Sequence, residues 1–259
     1  MSQFDATTAF GSDARVEHDF LRQVFAWMFL ALALTTGVAI LFHNQATYNY
    51  LAQHTTLFYV AIFAQLGFVI ALRFIIFSQR VSVQVAAFMF FVYAALTGAV
   101  FSILLDVYTT DSVVGAFGGA CGVFGAMALL GYTTQMDLSR FGPILFGALI
   151  GIVVASFVYI FVGGQTLNLI IGYIGVVLFS ALTAYDIQNL KKLRNGQPIS
   201  GRMGGFGGIG RGRGGGGQQM TLADSGASTE KLAIMGALWL YLDFINLFVS
   251  LLRIFGNQR

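Results

Sequence analysis

Two carboxylic acids interrupt apolar stretches near the end of this 259-residue chain. Asp186 follows a nearly uncharged run, and Asp243 lies within Leu-Tyr-Leu-Asp-Phe-Ile-Asn-Leu-Phe. A carboxylate at membrane depth is disfavoured by roughly 2.5–3.5 kcal/mol on insertion scales, so it persists where a partner or a function offsets that cost. Two acids on consecutive helices can reach each other, and a close pair can share one proton or one cation. These residues therefore predict a site that responds to protons or cations.

The second acid begins a polar stripe. Asp243, Asn246, Ser250 and Arg253 follow one another at spacings that place them on one face of a helix turning about 100° per residue. Such a face is expected to meet other helices or a water-filled cavity rather than lipid. For Asn246 and Ser250, a hydrogen-bonded packing seam and a functional role are both open. For Asp243 we favour function.

The first acid is predicted to lie level with the second. Small residues such as Gly175 share the face of Asp186 and would let a neighbouring helix approach closely. Asp186 lies about 7 Å before Lys191, which marks the inner membrane boundary. If Trp239 anchors helix seven at the same boundary, Asp243 lies about 6 Å deep.

Long apolar runs must position these residues. Hydrophobic residues make up 57% of the chain and charged residues 10%, whereas soluble domains carry about 25% charged residues. Each of the apolar runs approaches the roughly 20 residues that a helix needs to cross the hydrocarbon core, and they lie at 22–42, 57–77, 83–105, 112–134, 142–163, 167–189 and 234–255. The sequence predicts an all-α membrane protein with seven transmembrane helices. Its predicted segments are a polar N-terminal tail at 1–20, helices one to six at 21–190, a Gly/Arg-rich linker at 191–230, and helix seven with the C-terminus at 231–259.

Positive charge predicts the orientation, because Lys and Arg concentrate in cytoplasmic loops. The predicted outer loops at 43–56, 106–111 and 164–166 contain no Lys or Arg. With the N-terminus in the cytoplasm, the inner side carries Arg15, Arg22, Arg80, Arg140, Lys191, Lys192, Arg194, Arg202, Arg211, Arg213 and Lys231. Only Arg253 and Arg259 lie at the outer end, and Arg73 is inside helix two. We therefore expect a cytoplasmic N-terminus and a multi-pass protein in contact with the lipid bilayer.

The Gly-rich stretch at 200–217 has two interpretations. It contains three arginines and one aromatic residue, which is little for an arginine–glycine tract that binds RNA. A flexible cytoplasmic linker explains it better, so we expect no nucleic-acid partner. No Gly-Lys-Ser or Gly-Lys-Thr follows the glycines, which argues against a phosphate loop.

Helix four carries small residues at short spacings. Its glycines at 115, 118, 119, 122 and 125 predict a face against which another helix packs closely. The single cysteine, Cys121, lies in the same run and is expected to be a small core residue.

At these residues the chain resembles the Bax inhibitor family of membrane proteins, and its bacterial members in particular. The resemblance covers roughly residues 20–256. It is carried by Tyr-Ala-Ala-Leu-Thr-Gly at 93–98, Thr-Thr-Gln-Met-Asp-Leu-Ser at 133–139, Thr-Ala-Tyr-Asp-Ile-Gln at 183–188 and Leu-Tyr-Leu-Asp-Phe-Ile-Asn-Leu-Phe at 240–248. The linker at 200–217 departs from the family, whose loop is short there.

The resemblance implies a bundle with helix seven central and a location in the bacterial inner membrane, which is the plasma membrane. It also implies that Asp186 and Asp243 form a pH-sensing pair that controls a Ca²⁺ leak and can bind the metal ion. An arginine of helix two would lock to this pair. That residue is Arg80, with Arg73 as the alternative. No cofactor beyond the permeant Ca²⁺ is implied, and H⁺ is the second ligand.

Two other functions remain open. Tyr185-Asp186 resembles the Tyr-Asp of intramembrane aspartyl proteases, where a second acid would help to activate water. However, Asp243 follows Leu-Tyr-Leu without the glycine of those enzymes, and neither Pro143 nor Pro198 suits their third motif. We therefore predict no enzyme.

A protein that modulates a membrane partner, for example a membrane protease, is the other alternative. In that case the acidic N-terminal tail at 1–20 would be the contact.

Overall fold

The computed structural model describes residues 3–44, 60, 64–72, 81–194 and 229–257, with side chains from residue 19 onward except that of Arg194. Its long elements are helices: α1 (Gln3–Phe42), α2 (64–72), α3 (Val83–Val107), α4 (Thr110–Thr133), α5 (Gly142–Val162), α6 (Gln165–Arg194) and α7 (Thr229–Phe255). A short 3₁₀ helix, Leu138–Phe141, precedes α5.

Six helices of the described chain are long and apolar enough to cross a membrane, and they are α1 and α3 to α7. They match six of the predicted runs. The stretch predicted as an N-terminal tail belongs to α1, which begins at Gln3. Arg73, Arg80 and the glycines at 200–217 lie outside the described residues.

Local chemistry explains where several helices begin and end. The hydroxyl of Ser82 accepts a hydrogen bond from an amide of the first turn of α3, and Thr109 does the same for α4. Pro143 occupies the first turn of α5, where its missing N–H has no helical partner to lose. Gly163 and Gly164 join α5 to α6 with φ angles of 66° and 97°, a conformation that favours glycine.

The last helix is the central one. Within the bundle, 78% of the apolar stretch of α7 is buried, compared with at most 44% for any other candidate span. Its main neighbour is α6, and it also packs against α1, α4 and α3. This agrees with the central position that the family resemblance implied for helix seven.

One end of the bundle gathers the positive charges. We call it the basic end, and its described cations are Arg22, Arg140, Lys191, Lys192 and Lys231. Val24 of α1 and Leu190 of α6 both lie beside Gly236 of α7, which brings the start of α1, the end of α6 and the start of α7 together there.

The opposite end is held by polar contacts. His43 Nδ1 lies 3.0 Å from Asp106 Oδ1 and links the ends of α1 and α3. The amide of Thr109 donates to the carbonyl of Asn257 at 3.1 Å, and the amide of Asn257 donates to the Ser112 hydroxyl at 2.9 Å. The C-terminal end of α7 is therefore fastened to the α3–α4 connection.

Candidate functional site: the buried acids of α6 and α7

Three glycines fix how α6 and α7 face each other. A Cβ added at any of them would lie within 3.1 Å of the partner helix, so the two backbones approach closely. The contacts are Gly172 with Ile254, Gly175 with Ser250, and Gly236 with Leu190. This confirms the predicted close approach along the glycine face of α6. The two helices are antiparallel, because the α7 partner moves toward the N-terminus as the α6 position moves toward the C-terminus.

The same contacts place the two acids. On α7, Asp243 lies seven residues from both Gly236 and Ser250, so it points toward α6. On α6, Asp186 shares its face with the glycines that meet α7. In this register Asp243 lies level with Thr183, which is about 4.5 Å along the axis from Asp186.

Both acids are buried. The exposed fraction is 1% for Asp186 and 0% for Asp243. The predicted depth of Asp243 used Trp239 as an interfacial anchor, but the Trp239 side chain is 3% exposed and packs inside the bundle, so it does not face lipid. Trp239 is enclosed because other helices surround α7. The depth of both acids stays a prediction.

Two side chains of the polar stripe of α7 form hydrogen bonds within their own helix. Asn246 Nδ2 donates to the carbonyl of Leu242 at 2.7 Å, and Ser250 Oγ donates to the carbonyl of Asn246 at 2.7 Å. Ser250 also packs against Gly175. Ser250 therefore takes part in a packing seam, and both Asn246 and Ser250 also line one cavity.

Sequence reasoning missed Asn189. It lies one turn beyond Asp186 on α6, and its side chain is 1% exposed. Neither its amide nitrogen nor its amide oxygen has a hydrogen-bond partner in the part of the chain that the structure describes. Buried amides are normally paired, so the partner of this amide is a water, a ligand or a residue outside the described part of the chain. The available signal was the three-residue spacing from Asp186.

A hydroxyl network next to the second acid was also missed. Tyr241 OH and Thr35 Oγ1 lie 2.8 Å apart, and Thr35 donates to the carbonyl of Ala94 at 3.0 Å. Because the Thr35 proton is used in that way, Tyr241 is the donor of the shared bond. Gln65 of α2 contacts Thr97 of the same α3 helix at 3.4 Å. The network ties α1 and α3 to the α7 turn that carries Asp243.

A polar clamp holds the end of α6 beyond the first acid. Gln188 Nε2 donates to the carbonyl of Met136 at 2.6 Å, and its Oε1 accepts from the amide of Leu138 at 2.8 Å. Lys192 forms an ion pair with Asp137. The connection between α4 and α5 is thereby fixed to α6.

The glycines of α4 do not form the predicted packing face. Gly119 alone among the five has a described neighbour within 4 Å of an added Cβ, the Cδ1 atom of Leu251 at 3.5 Å. The helix packs instead through Ala116, Ala120, Phe124, Ala128 and Gly131. Small-residue spacing recurs on more than one face of a glycine-rich helix, so it does not identify the contacting face.

These features define an all-helical, multi-pass membrane protein with two acids enclosed between its last helices. The family model described as "Inhibitor of apoptosis-promoting Bax1" matches residues 17–259. The chain therefore belongs to the Bax inhibitor family, as its motifs predicted.

Bacterial relatives agree along nearly the whole chain. The chain is 42% identical over 241 residues to the inner membrane protein YbhL of Escherichia coli strain K12, covering 93% of this chain and 92% of YbhL. An uncharacterized protein of Deinococcus radiodurans is 40% identical over 240 residues, with 93% and 90% covered. One from Borreliella burgdorferi is 33% identical over 245 residues, with 94% of both covered. We assign the chain to the bacterial inner membrane. These names specify no enzymatic activity.

Proposed function

We propose that the protein is a pH-sensitive cation leak pathway that passes Ca²⁺ and is gated by Asp186 and Asp243. The observation that carries the proposal is the burial of both acids on the contacting faces of α6 and α7, within about one turn of each other. Two enclosed carboxylates resist double ionisation, so the pair keeps one proton. Loss of that proton leaves two negative charges, which either repel each other or together bind a cation such as Ca²⁺.

A cavity with several polar residues in a mostly apolar lining approaches the acids from the opposite end of the bundle and supports this proposal. Its volume is about 390 Å³, and residues of α2, α3, α5, α6 and α7 line it. Its polar lining includes Gln65, Ser156, Asn246, Ser250 and Arg253. Since Asn246 lies one turn from Asp243, ions in this cavity would come close to the pair.

Apolar packing closes the route toward the basic end. Leu190, Leu193 and Met235 are at most 2% exposed and fill the space beyond the acids. Asn189 lies in this layer and is the one side chain there that we propose as a further oxygen ligand for a passing cation. A cavity with polar residues on one side of the acids and close apolar packing on the other is compatible with a closed leak.

We also propose seven membrane crossings with a cytoplasmic N-terminus. Trp27 lies beside Phe91, with ring centroids 5.6 Å apart, and His43 lies beside Asp106, so α1 and α3 run in parallel. The chain between them must then cross back, and α2 lies in that interval. The basic end faces the cytoplasm because positive residues are retained on that side.

The proposed lock on the acids is Arg80, with Arg73 as the alternative. An arginine that pairs with the ionised acids would compete with a cation for the same oxygens. We propose that transport needs no catalysis and no bound cofactor.

Ion flux into liposomes that contain only this protein tests the proposal. Uptake of Ca²⁺, Na⁺ and K⁺ is measured between pH 6 and pH 8, with protein-free liposomes as the blank. We expect protein-dependent Ca²⁺ flux that changes with pH, and a higher basal flux for Arg80→Ala. Absence of Ca²⁺ flux at every pH would contradict the leak and leave a modulator of a membrane partner as the better function.

A further inference from the structure

An apolar groove runs along the bundle between α1 and α4. Its volume is about 1040 Å³, and it extends from Arg22 to Ile40 on α1, about 27 Å along the helix. A second cavity of about 420 Å³ shares part of its lining and continues to His43. Together they cover roughly the thickness of the hydrocarbon core.

The groove has open space beside glycines of α1 and α4, and the residues at its base are sequence neighbours of the buried acids. Added Cβ atoms at Gly37 of α1 and Gly125 of α4 would meet no described atom within 4 Å. Cys121, which the sequence predicted to be a core residue, is exposed and lines the α4 wall. The floor is formed by Ile187 and Phe244, each of which directly follows one of the buried acids.

Charge is restricted to the basic end of this groove. Arg22 is its one charged lining residue among those described, with a side chain that is 84% exposed in a weak surface pair with Asp19. Lys191 of α6 is a second cation at this end: its Nζ donates to the carbonyl of Tyr132 at 3.2 Å and lies 4.6 Å from the ring centre of that groove-lining residue. Arg22 therefore lines the basic end of the groove, and Lys191 contacts a residue that lines it.

We propose that the groove between α1 and α4 binds an anionic membrane phospholipid, with an acyl chain between the two walls and the phosphate between Arg22 and Lys191. The long apolar lining excludes a polar occupant, and a cleft left empty would lose packing contacts along its whole length. Basic sites between transmembrane helices at the cytoplasmic side suit anionic headgroups. A second copy of the chain suits the groove less well than a lipid, because it would have to place acidic residues against Arg22 and Lys191.

Photo-crosslinking in nanodiscs tests this site without reference to ion flux. The probes are phosphatidylglycerol and phosphatidylcholine that carry the same photoreactive acyl chain, and labelled positions are mapped by peptide mass spectrometry. We expect labelling on the facing walls of α1 and α4. Arg22→Gln should reduce the preference for phosphatidylglycerol by about fivefold, the contribution of one cation near the membrane surface.

Filling the groove provides the matched comparison. Gly125→Leu and Gly37→Leu each place a side chain in the groove and should reduce labelling several-fold. Gly122→Leu is the control, because this glycine is on the same helix and equally open but does not line the groove. Melting temperatures of all three variants confirm that they fold.

Three results would overturn the assignment. The first is equal labelling of every lipid-facing helix, unaffected by Gly125→Leu and Gly37→Leu, which would indicate ordinary surrounding lipid. The second is equal labelling by the two headgroups in the unmodified protein. The third is a Cys121–Cys121 crosslink between two chains at the expense of lipid labelling, which would assign the groove to a second copy.

Discussion

At the scale of single residues, the carboxylates of this protein fall into two environments. Asp186 and Asp243 are enclosed between helices, whereas the Asp137 side chain is half exposed in the loop that precedes α5. The hydrogen bond from Lys192 and a second from the amide of Ser139 lower the pKa of Asp137 from its usual 3.8 to about 2. Its contribution to stability is present above the usual value and is lost only as the pH falls toward 2. Asp137 therefore stays ionised between pH 6 and 8 and cannot sense that range.

The first prediction at this scale concerns the buried pair. Asp186→Asn and Asp243→Asn each remove one ionisable group while nearly preserving the side-chain shape. Each is expected to flatten the pH dependence of Ca²⁺ flux between about pH 6 and 8, because the remaining acid no longer has a like-charged neighbour. The double variant should add little to either single change, since coupled residues are not additive.

Asp137→Asn is the control, because it makes the same chemical change at the same end of the bundle. Its flux should keep the pH response of the unmodified protein. Additive effects of the two buried substitutions would show that the acids act independently. The pH sensor would then have to be sought at other residues.

At the scale of helices, hydropathy predicted where the long apolar helices form but not which of their faces meet. The runs at 83–105 and 142–163 match α3 and α5 to within two residues, because apolar length alone determines a membrane span. The acids of α6 and α7 were also found, because charge in an apolar run is conspicuous. The Gln188 clamp and the Thr35–Tyr241 bond were not, because a side chain's partner depends on packing between distant segments.

Glycine contacts give the prediction at this scale. A Cβ at Gly131 of α4 would lie 2.8 Å from the Cα atom of Ala184, so Gly131→Ala forces two backbones apart. Overpacking of this kind costs about 1–3 kcal/mol, and the melting temperature in detergent should fall. Gly118→Ala is the matched control on the same helix, where an added Cβ meets no described atom. Helix propensity alone would stabilise both variants, because Ala favours a helix more than Gly does. An equal change in both melting temperatures would therefore mean that the contact with α6 does not set the effect.

At the scale of the whole molecule, charge is divided between the two ends of the bundle. The described cations of the basic end lie beside the start of α1 and the α4–α5 connection. The end with His43 and Asn257 is held by the His43–Asp106 contact and by hydrogen bonds of Thr109, Ser112 and Asn257, and its one described Lys or Arg is Arg253. This division is the physical basis of the proposed orientation.

Cysteine labelling tests that orientation. In a Cys121→Ala background, Asp111→Cys and Met136→Cys place single exposed thiols at opposite ends of α4. A maleimide that cannot cross membranes should label Asp111→Cys in intact spheroplasts and Met136→Cys only after permeabilisation. The reverse result would invert the topology, and labelling of both without permeabilisation would contradict a membrane-spanning α4.

The central position of α7 has a consequence for how the protein is made. A ribosome releases the chain from the N-terminus, so α7 emerges after the α1, α3, α4 and α6 helices that pack around it. Until it inserts, the glycine face of α6 and the acid on that face have no α7 to meet. The earlier helices can enter the membrane one by one, but the bundle can close only after α7 has been synthesised. Insertion of the final helix is thus the assembly step that encloses both acids.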